Sequence, residues 1–257
     1  MELEQKRMLL KQYFTEHNRV VLGFSGGVDS AFLLAAAQQA DAAITPIFIK
    51  TPFQPAFELA DAKRLADQLD IPLEILEADP LTDQQIAGND AKRCYWCKRM
   101  LFSLLRDRAQ QLGATLIDGT NASDPEDDRP GMQALRELGA QSPLRLCGLT
   151  KEEIRQLSRE YQLFTWDKPS YACLATRIPT GTPIDSATLQ KIEGAEQALV
   201  SLGFSDFRVR VFHGAARLQL LPSQWQMSDQ MRQKVTQAVN RYFDTVLLDM
   251  VPRTSRE

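Results

Sequence analysis

Residues 19–37, RVVLGFSGGVDSAFLLAAA, decide the fold. RVVLG (Arg19–Gly23) is an apolar run of strand length, and the apolar stretch behind Ser30 has the length and pattern of a helix. Between them lie Gly26 and Gly27, which let the backbone turn tightly and meet a ligand with no Cβ in the way. A helix starting at about Ser30 offers unpaired N–H groups and the positive end of its dipole, which together attract an anion. Ser25 and Ser30 add hydroxyls. Asp29 is a poor partner for a phosphate but a sensible ligand for the Mg²⁺ that accompanies a polyphosphate. The loop has neither the Gly-Lys-Ser/Thr ending of a Walker A motif nor the three-glycine dinucleotide fingerprint. Taken alone, it is either a phosphate cradle or a tight strand–helix turn capped by serine.

The same alternation continues downstream. AAITPIFIK (42–50) leads to PAFELADAKRLADQL (55–69), IPLEILEA (71–78) leads to a longer helical stretch, and ATLIDGT (114–120) closes the series. Strand-then-helix order predicts an α/β fold with a parallel sheet covered on both faces. Its ligand site would lie beyond the carboxyl ends of the strands, where FSGGVDS and DGTNASD (118–124) fall. PSYACLATRIPTGTPID (169–185) reads as an ordered loop or boundary. A smaller α+β unit follows: a helix over Ser186–Leu202, strands at FRVRVF (207–212) and ARLQLL (216–221), a helix over about Ser228–Tyr242 and a strand at TVLLDM (245–250). We place the domain boundary at residue 180, giving domains 1–180 and 181–257.

With 257 residues, 44% of them hydrophobic, the chain can bury one large core or two modest ones. Its net charge of −3 mixes 30 basic with 33 acidic residues, and no basic stripe points to nucleic acid. ELEQKRMLLKQYF (2–14) has an amphipathic helix pattern, not that of an apolar signal segment. No run approaches the ~18 apolar residues of a membrane span. These features predict a soluble, cytoplasmic protein with no membrane partner.

In a reducing compartment the four cysteines, Cys94, Cys97, Cys147 and Cys173, point away from structural disulfides. Cys94 and Cys97 are three apart in AKRCYWCKRMLFSLLRDRAQQL (91–112), so both thiols share one helix face near its start. Lys92, Arg93, Lys98 and Arg99 flank them and favour thiolate. Cys173, in YACLATR, lies in a loop that could fold over the same site. A buried pair, a redox pair, a zinc site completed by Cys147 and a three-cysteine iron–sulfur site all stay open on spacing alone. In FRVRVF, Arg208 and Arg210 share one strand face and suit bidentate contact with a phosphate. Arg177, beside Cys173, is similarly placed to meet an anion.

The string SGGVDS after a strand matches the PP-loop of ATP pyrophosphatases, which cleave ATP between the α and β phosphates. The resemblance then extends over nearly the whole chain. SGGVDS, CYWCK, DGTN, DDRPG, SPL…GLTKEEIR, WDKPSYACLATRIPTGTPI and FRVRV occur in the order seen in LarE-type proteins. Those are ATP-dependent sulfur transferases of the nickel-pincer nucleotide pathway. The resemblance implies a PP-loop domain followed by a small substrate-binding and oligomerisation domain, in a homo-oligomer. It implies ATP held by Ser25, Gly26, Gly27, Asp29, Ser30, Gly119, Thr120 and Asn121, with Mg²⁺ on Asp29. The substrate would be a pyridinium mononucleotide with two carboxylates, adenylated and then attacked by sulfur. Arg129, Arg177, Arg208, Arg210 and Glu196 would contact it, with Asp128 and Arg129 facing the reacting phosphate or carboxylate. In members with the additional C-x-x-C, three cysteines are taken to hold a [4Fe-4S] cluster whose fourth iron carries exchangeable sulfide. Here those would be Cys94, Cys97 and Cys173, and Cys147 would be a core residue. A sulfide donor and other enzymes of the pathway are implied as partners.

Two departures fall in the C-terminal unit. Gln219 stands where family members often have an acidic residue, and LLDMVPRTSRE replaces an expected GYRxGS ending. Two rivals share the chemistry. A PP-loop tRNA thiolase must hold RNA, which the charge and the absence of a basic, aromatic-rich stretch oppose. In a second version of the enzyme, Cys173 gives up its own sulfur and is consumed, with no cluster.

Overall fold

The computed structural model describes residues 1–125 and 130–254. The chain runs α1 (Leu3–Glu16), β1 (Arg19–Gly23), α2 (Val28–Gln39), β2 (Ala43–Lys50), α3 (Ala56–Gln68), β3 (Glu74–Glu77), α4 (Gln84–Ala87), α5 (Arg93–Leu112) and β4 (Thr115–Ile117). It continues with α6 (Pro130–Glu137), α7 (Pro143–Leu146), α8 (Lys151–Glu160), α9 (Ser186–Ser201), β5 (Arg208–Phe212), β6 (Ala215–Gln219), α10 (Pro222–Trp225), α11 (Asp229–Val239) and β7 (Val246–Leu248).

RVVLG becomes a central strand because Val20, Val21 and Leu22 are all fully buried, so apolar residues are needed on both faces. β1 pairs in parallel with β2 and β4, and β2 with β3, in the order β3-β2-β1-β4. Val20 and Leu22 pack into a core with α1, α2 and α8; Val21 joins Ile47, Ile49, Leu105 and Leu116 on the other face. Helices cover both faces, as the strand–helix alternation predicts. Strand order reverses at β1, and the SGG loop leaves its carboxyl end there, the usual ligand position in open parallel sheets.

α2 starts at Val28 rather than at about Ser30, behind an extended Gly27 with no side-chain cap. Its alanines and leucines are buried almost all round. α5 begins just before Cys94 and stops at left-handed Gly113. α8 opens with a capping box, in which Thr150 Oγ1 accepts from Glu153 N–H and Glu153 accepts from Thr150 N–H.

Contacts divide the chain into two compact units, Met1–Thr51 with Ala56–Pro80 and Lys92–Ser170, and Pro52–Pro55 with Leu81–Ala91 and Tyr171–Glu257. The division after Ser170 lies ahead of the boundary expected at residue 180, and two earlier segments go with the second unit. Asn89 shows why. Its Nδ2 donates to Pro179 O and Thr182 O, both at 2.9 Å, and its carbonyl accepts from Gly181 N–H at 2.8 Å. The second unit carries a sheet in which β5 and β6 are antiparallel and β6 and β7 parallel, with Arg208 opposite Gln219. Among the described residues, no helix is long and apolar enough to cross a membrane.

Candidate active site

The loop is shaped by its glycines. Gly26 sits at φ +69°, and a Cβ there would lie 3.1 Å from Glu58 O and 3.2 Å from Ala62 N of α3. Any other residue would carry both left-handed strain and a backbone collision. Ser25 Oγ lies 3.2 Å from Ser30 Oγ, and Ser30 Oγ donates to Gly27 O at 3.2 Å. The loop is thus closed by its own serines, and the first-turn N–H groups of α2 have no intrahelical acceptor, the feature by which a helix start attracts an anion.

Asp29 anchors a polar cluster. Its Oδ2 accepts from Lys151 Nζ at 2.6 Å and its Oδ1 from Asn121 Nδ2 at 3.2 Å. Burial pushes its carboxyl above the ordinary range, against the opposing pull of Lys151. Gly119 lets the chain after β4 come this close: a Cβ would meet Ser30 N at 3.1 Å and Asp29 Cβ at 3.3 Å. Gly119 and Asn121 therefore lie against the helix end of the loop. Thr120 turns away, its Oγ1 donating to Asp118 Oδ2 at 2.6 Å, so its side chain braces the turn. Asp128 and Arg129 lie outside the described residues.

Two lysines at the loop escaped the sequence reading. Lys151 binds Asp29, and Lys168 Nζ donates to Gly26 O at 3.2 Å while pairing with Asp61 at 2.6 Å. Both lie in quoted motifs, GLTKEEIR and WDKPS. The capping box before KEEIR was the available signal, since it puts Lys151 in the first turn of a helix.

Of the cysteines, Cys94 is exposed and Cys97 partly so, on the first turn of α5. Arg93, itself buried, donates from Nη2 to Cys94 Sγ at 3.3 Å. Cys173 is partly exposed in the second unit, directly before a 3₁₀ turn over Leu174–Arg177. Cys147 is buried in the core with Leu144 and Leu149, and burial pushes its thiol up to about 11. That environment suits a neutral core thiol and opposes a zinc thiolate. Among the described residues, no three His, Cys, Asp or Glu side chains are gathered for a metal ion. Cys94 and Cys97, as thiols outside any disulfide on one helix face beside a guanidinium, fit as thiolate donors; Cys173, also outside any disulfide, lies within its own unit.

The arginines of the second unit are engaged with groups of their own unit. β5 is in contact with α9 and with the 174–177 turn. Arg208 is 3% exposed, its Nη1 donating to Phe207 O at 2.6 Å and its guanidinium 5.3 Å from the centre of the Tyr171 ring. Burial, with Arg177 and Arg253 nearby, lowers its pKa to about 10. Arg210 is half-buried, donating to Thr176 O at 2.7 Å and to Gln219 Oε1 at 2.6 Å. Gln219 Nε2 in turn donates to Asp249 Oδ2 at 2.9 Å. Glutamine suits this position because it accepts from an arginine and donates to an aspartate at once, which a carboxylate does not. Arg177 and Glu196 form a buried ion pair at 2.8 Å.

The family model described as NAD synthase matches residues 2–121, the stretch that carries the loop, Gly119 and Asn121. A pyridinium-3,5-bisthiocarboxylic acid mononucleotide synthase of Lactiplantibacillus plantarum is 32% identical over 221 residues, covering 85% of this chain and 80% of that protein. The chain belongs to this LarE-type family. An uncharacterised protein of Synechocystis sp. is 38% identical over 229 residues, covering 87% of this chain and 84% of its own. A tRNA-specific 2-thiouridylase of Carboxydothermus hydrogenoformans is 25% identical over 194 residues, covering 59% of this chain and 53% of that protein. As a LarE-type protein with an intact PP-loop, it is an ATP-dependent sulfur transferase.

Proposed function

We propose that this protein adenylates the carboxylates of a pyridinium-3,5-dicarboxylate mononucleotide and replaces each AMP by sulfur, within nickel-pincer nucleotide synthesis. The observation that carries the reading is the SGG loop with Asp29, Lys151 and Asn121 at its helix end. A substrate carboxylate oxygen attacks the α phosphorus, and the bond from that phosphorus to the bridging oxygen breaks. Pyrophosphate leaves into the loop, where first-turn N–H groups and Ser25 and Ser30 hold it. Asp29 would hold Mg²⁺, whose charge neutralises the departing phosphates. The acyl adenylate is now a good electrophile. A sulfide lone pair attacks its carbon, the carbon–oxygen bond to AMP breaks, and AMP leaves with the former carboxylate oxygen. Two rounds consume two ATP and give two thiocarboxylates.

A [4Fe-4S] cluster held by Cys94, Cys97 and Cys173 would supply exchangeable sulfide from the iron without a protein ligand. The Arg93 guanidinium at Cys94 offsets thiolate charge there. Arg177, Arg208, Arg210 and Arg129 would provide positive charge for the substrate phosphate and carboxylates, with the second unit as substrate domain and oligomer contact. A sulfide source and the pathway enzymes that make and use the nucleotides are the partners this chemistry requires.

The test is anaerobic incubation with ATP, Mg²⁺, sulfide and the dicarboxylate mononucleotide. AMP, pyrophosphate and thiocarboxylate should form together, and only with that substrate. ADP as product, or sulfur appearing only on added tRNA, would overturn the reading. Lys151 gives a further prediction. If it moves from Asp29 to a phosphate, Lys151→Ala should raise the KM for ATP about ten- to a hundredfold, the weight of one charge-assisted contact. An unchanged KM would leave Lys151 a partner of Asp29 alone.

A further inference from the structure

Cys173 is held by its main chain from both sides, all within the second unit. Thr176 donates twice to the Cys173 carbonyl, from N–H at 3.0 Å and from Oγ1 at 2.8 Å. On one side the Ala172 carbonyl accepts from Arg177 Nη1 at 3.0 Å; on the other, Leu174 N–H donates to Phe53 O at 2.8 Å. Arg177 Nη1 also donates to Thr176 Oγ1 at 2.9 Å, so this hydroxyl accepts from the guanidinium while it donates to the cysteine carbonyl.

Arg177 is anchored in turn. Its side chain is fully buried, and Nε and Nη2 donate to the two oxygens of Glu196 at 2.8 and 3.3 Å. Glu196 also accepts from the Tyr171 hydroxyl and from Val209 N–H, the latter at 2.9 Å, which ties the network to β5. Charge-assisted bonds in a buried setting are strong and polarise one another. With the main chain of Cys173 fixed, its sulfur can occupy only the few positions that χ1 rotamers allow.

We propose that Glu196, Arg177 and Thr176 form a positioning relay that fixes Cys173 for sulfur transfer, with Thr176 as its last link. This rests on Cys173 being a sulfur-site cysteine. It gives Arg177 and Glu196 a role besides substrate contact, and it assigns one to Thr176, which the sequence reading gave none. The relay acts through the turn, so these are positioning residues and not catalytic ones.

The test uses the full chain with Thr176→Val and Thr176→Ser. Valine keeps the shape and loses both hydroxyl bonds; serine keeps them. Hydrogen exchange of the amides in residues 172–178 reads the geometry directly, and thiocarboxylate formed per AMP released reads its use. Valine should speed exchange and lower the sulfur-to-AMP ratio, each about tenfold, the weight of roughly one hydrogen bond. Serine should restore both. Unchanged exchange in the valine variant, a wild-type ratio in it, or a serine variant that behaves like valine would overturn the relay. A wild type that releases AMP yet makes no thiocarboxylate would sink the sulfur-transfer reading instead, and the exchange data tell the two failures apart.

Discussion

Replacing Asp29 by alanine should stop substrate-dependent ATP cleavage while leaving the iron content of the protein unchanged. The carboxylate sits at the helix end of the loop, with Lys151 Nζ at 2.6 Å on one oxygen and Asn121 Nδ2 at 3.2 Å on the other. Alanine removes the proposed Mg²⁺ ligand and releases Lys151 from its ion pair. The two changes act differently. A released Lys151 remains a cation beside the loop, so ATP binding should persist. Loss of the metal removes charge stabilisation where it matters most, as pyrophosphate departs, and preorganised electrostatic groups of this kind commonly contribute on the order of 10³-fold in kcat. The expected signature is therefore a collapse in kcat with a small change in ATP affinity by calorimetry. Asp29→Asn should resemble alanine, since an amide is a weak Mg²⁺ ligand. AMP formation within tenfold of wild type in both variants would remove Asp29 from the metal site.

The loop was legible because its physics is local: a strand, two glycines and a helix start lie within one short run of sequence. Alternation of strands and helices likewise gave the parallel sheet, since buried β1 needs apolar residues on both faces. Other features depended on long-range packing. Alternation along FRVRVF shows which side chains share a face but not what covers that face. The 174–177 turn and α9 both contact β5, and Arg208 is buried. Beyond the capping box at Lys151, the two lysines carry no pattern outside their motifs, and their places at the loop come from how α8 packs on α2 and Lys168 reaches Gly26. The segments 52–55 and 81–91 join the second unit through bonds such as Asn89 to Pro179, which separation in sequence conceals. Cys147 was separable because it lies outside the family motifs that carry the other three cysteines, and it is buried in the core.

Alanine at Cys94, Cys97 or Cys173 should each abolish the brown chromophore of the anaerobically purified protein and its multiple-turnover sulfur transfer, while Cys147→Ala keeps both. Three thiolates leave one iron of a four-iron cube without a protein ligand, so loss of any one removes a third of the protein coordination that holds it. Cys94 and Cys97 lie on one helix turn with Arg93 on the sulfur of the first, an arrangement that stabilises thiolate charge and has no use in a mechanism that spends Cys173 alone. Cys147, pushed up to about 11 by burial, is a poor thiolate donor and should be dispensable. Supplied with sulfide, the wild type should make more than one thiocarboxylate per chain, and Cys173 should keep its mass. The sacrificial alternative predicts the reverse: at most one sulfur per chain, with Cys173 lighter by H₂S and Cys94→Ala still competent for that single turnover. A zinc site predicts a colourless protein that fails on Cys147→Ala. Metal analysis of the four variants, beside mass spectrometry of the protein after turnover, separates these outcomes, and iron-free wild type with an intact Cys173 would end the cluster proposal.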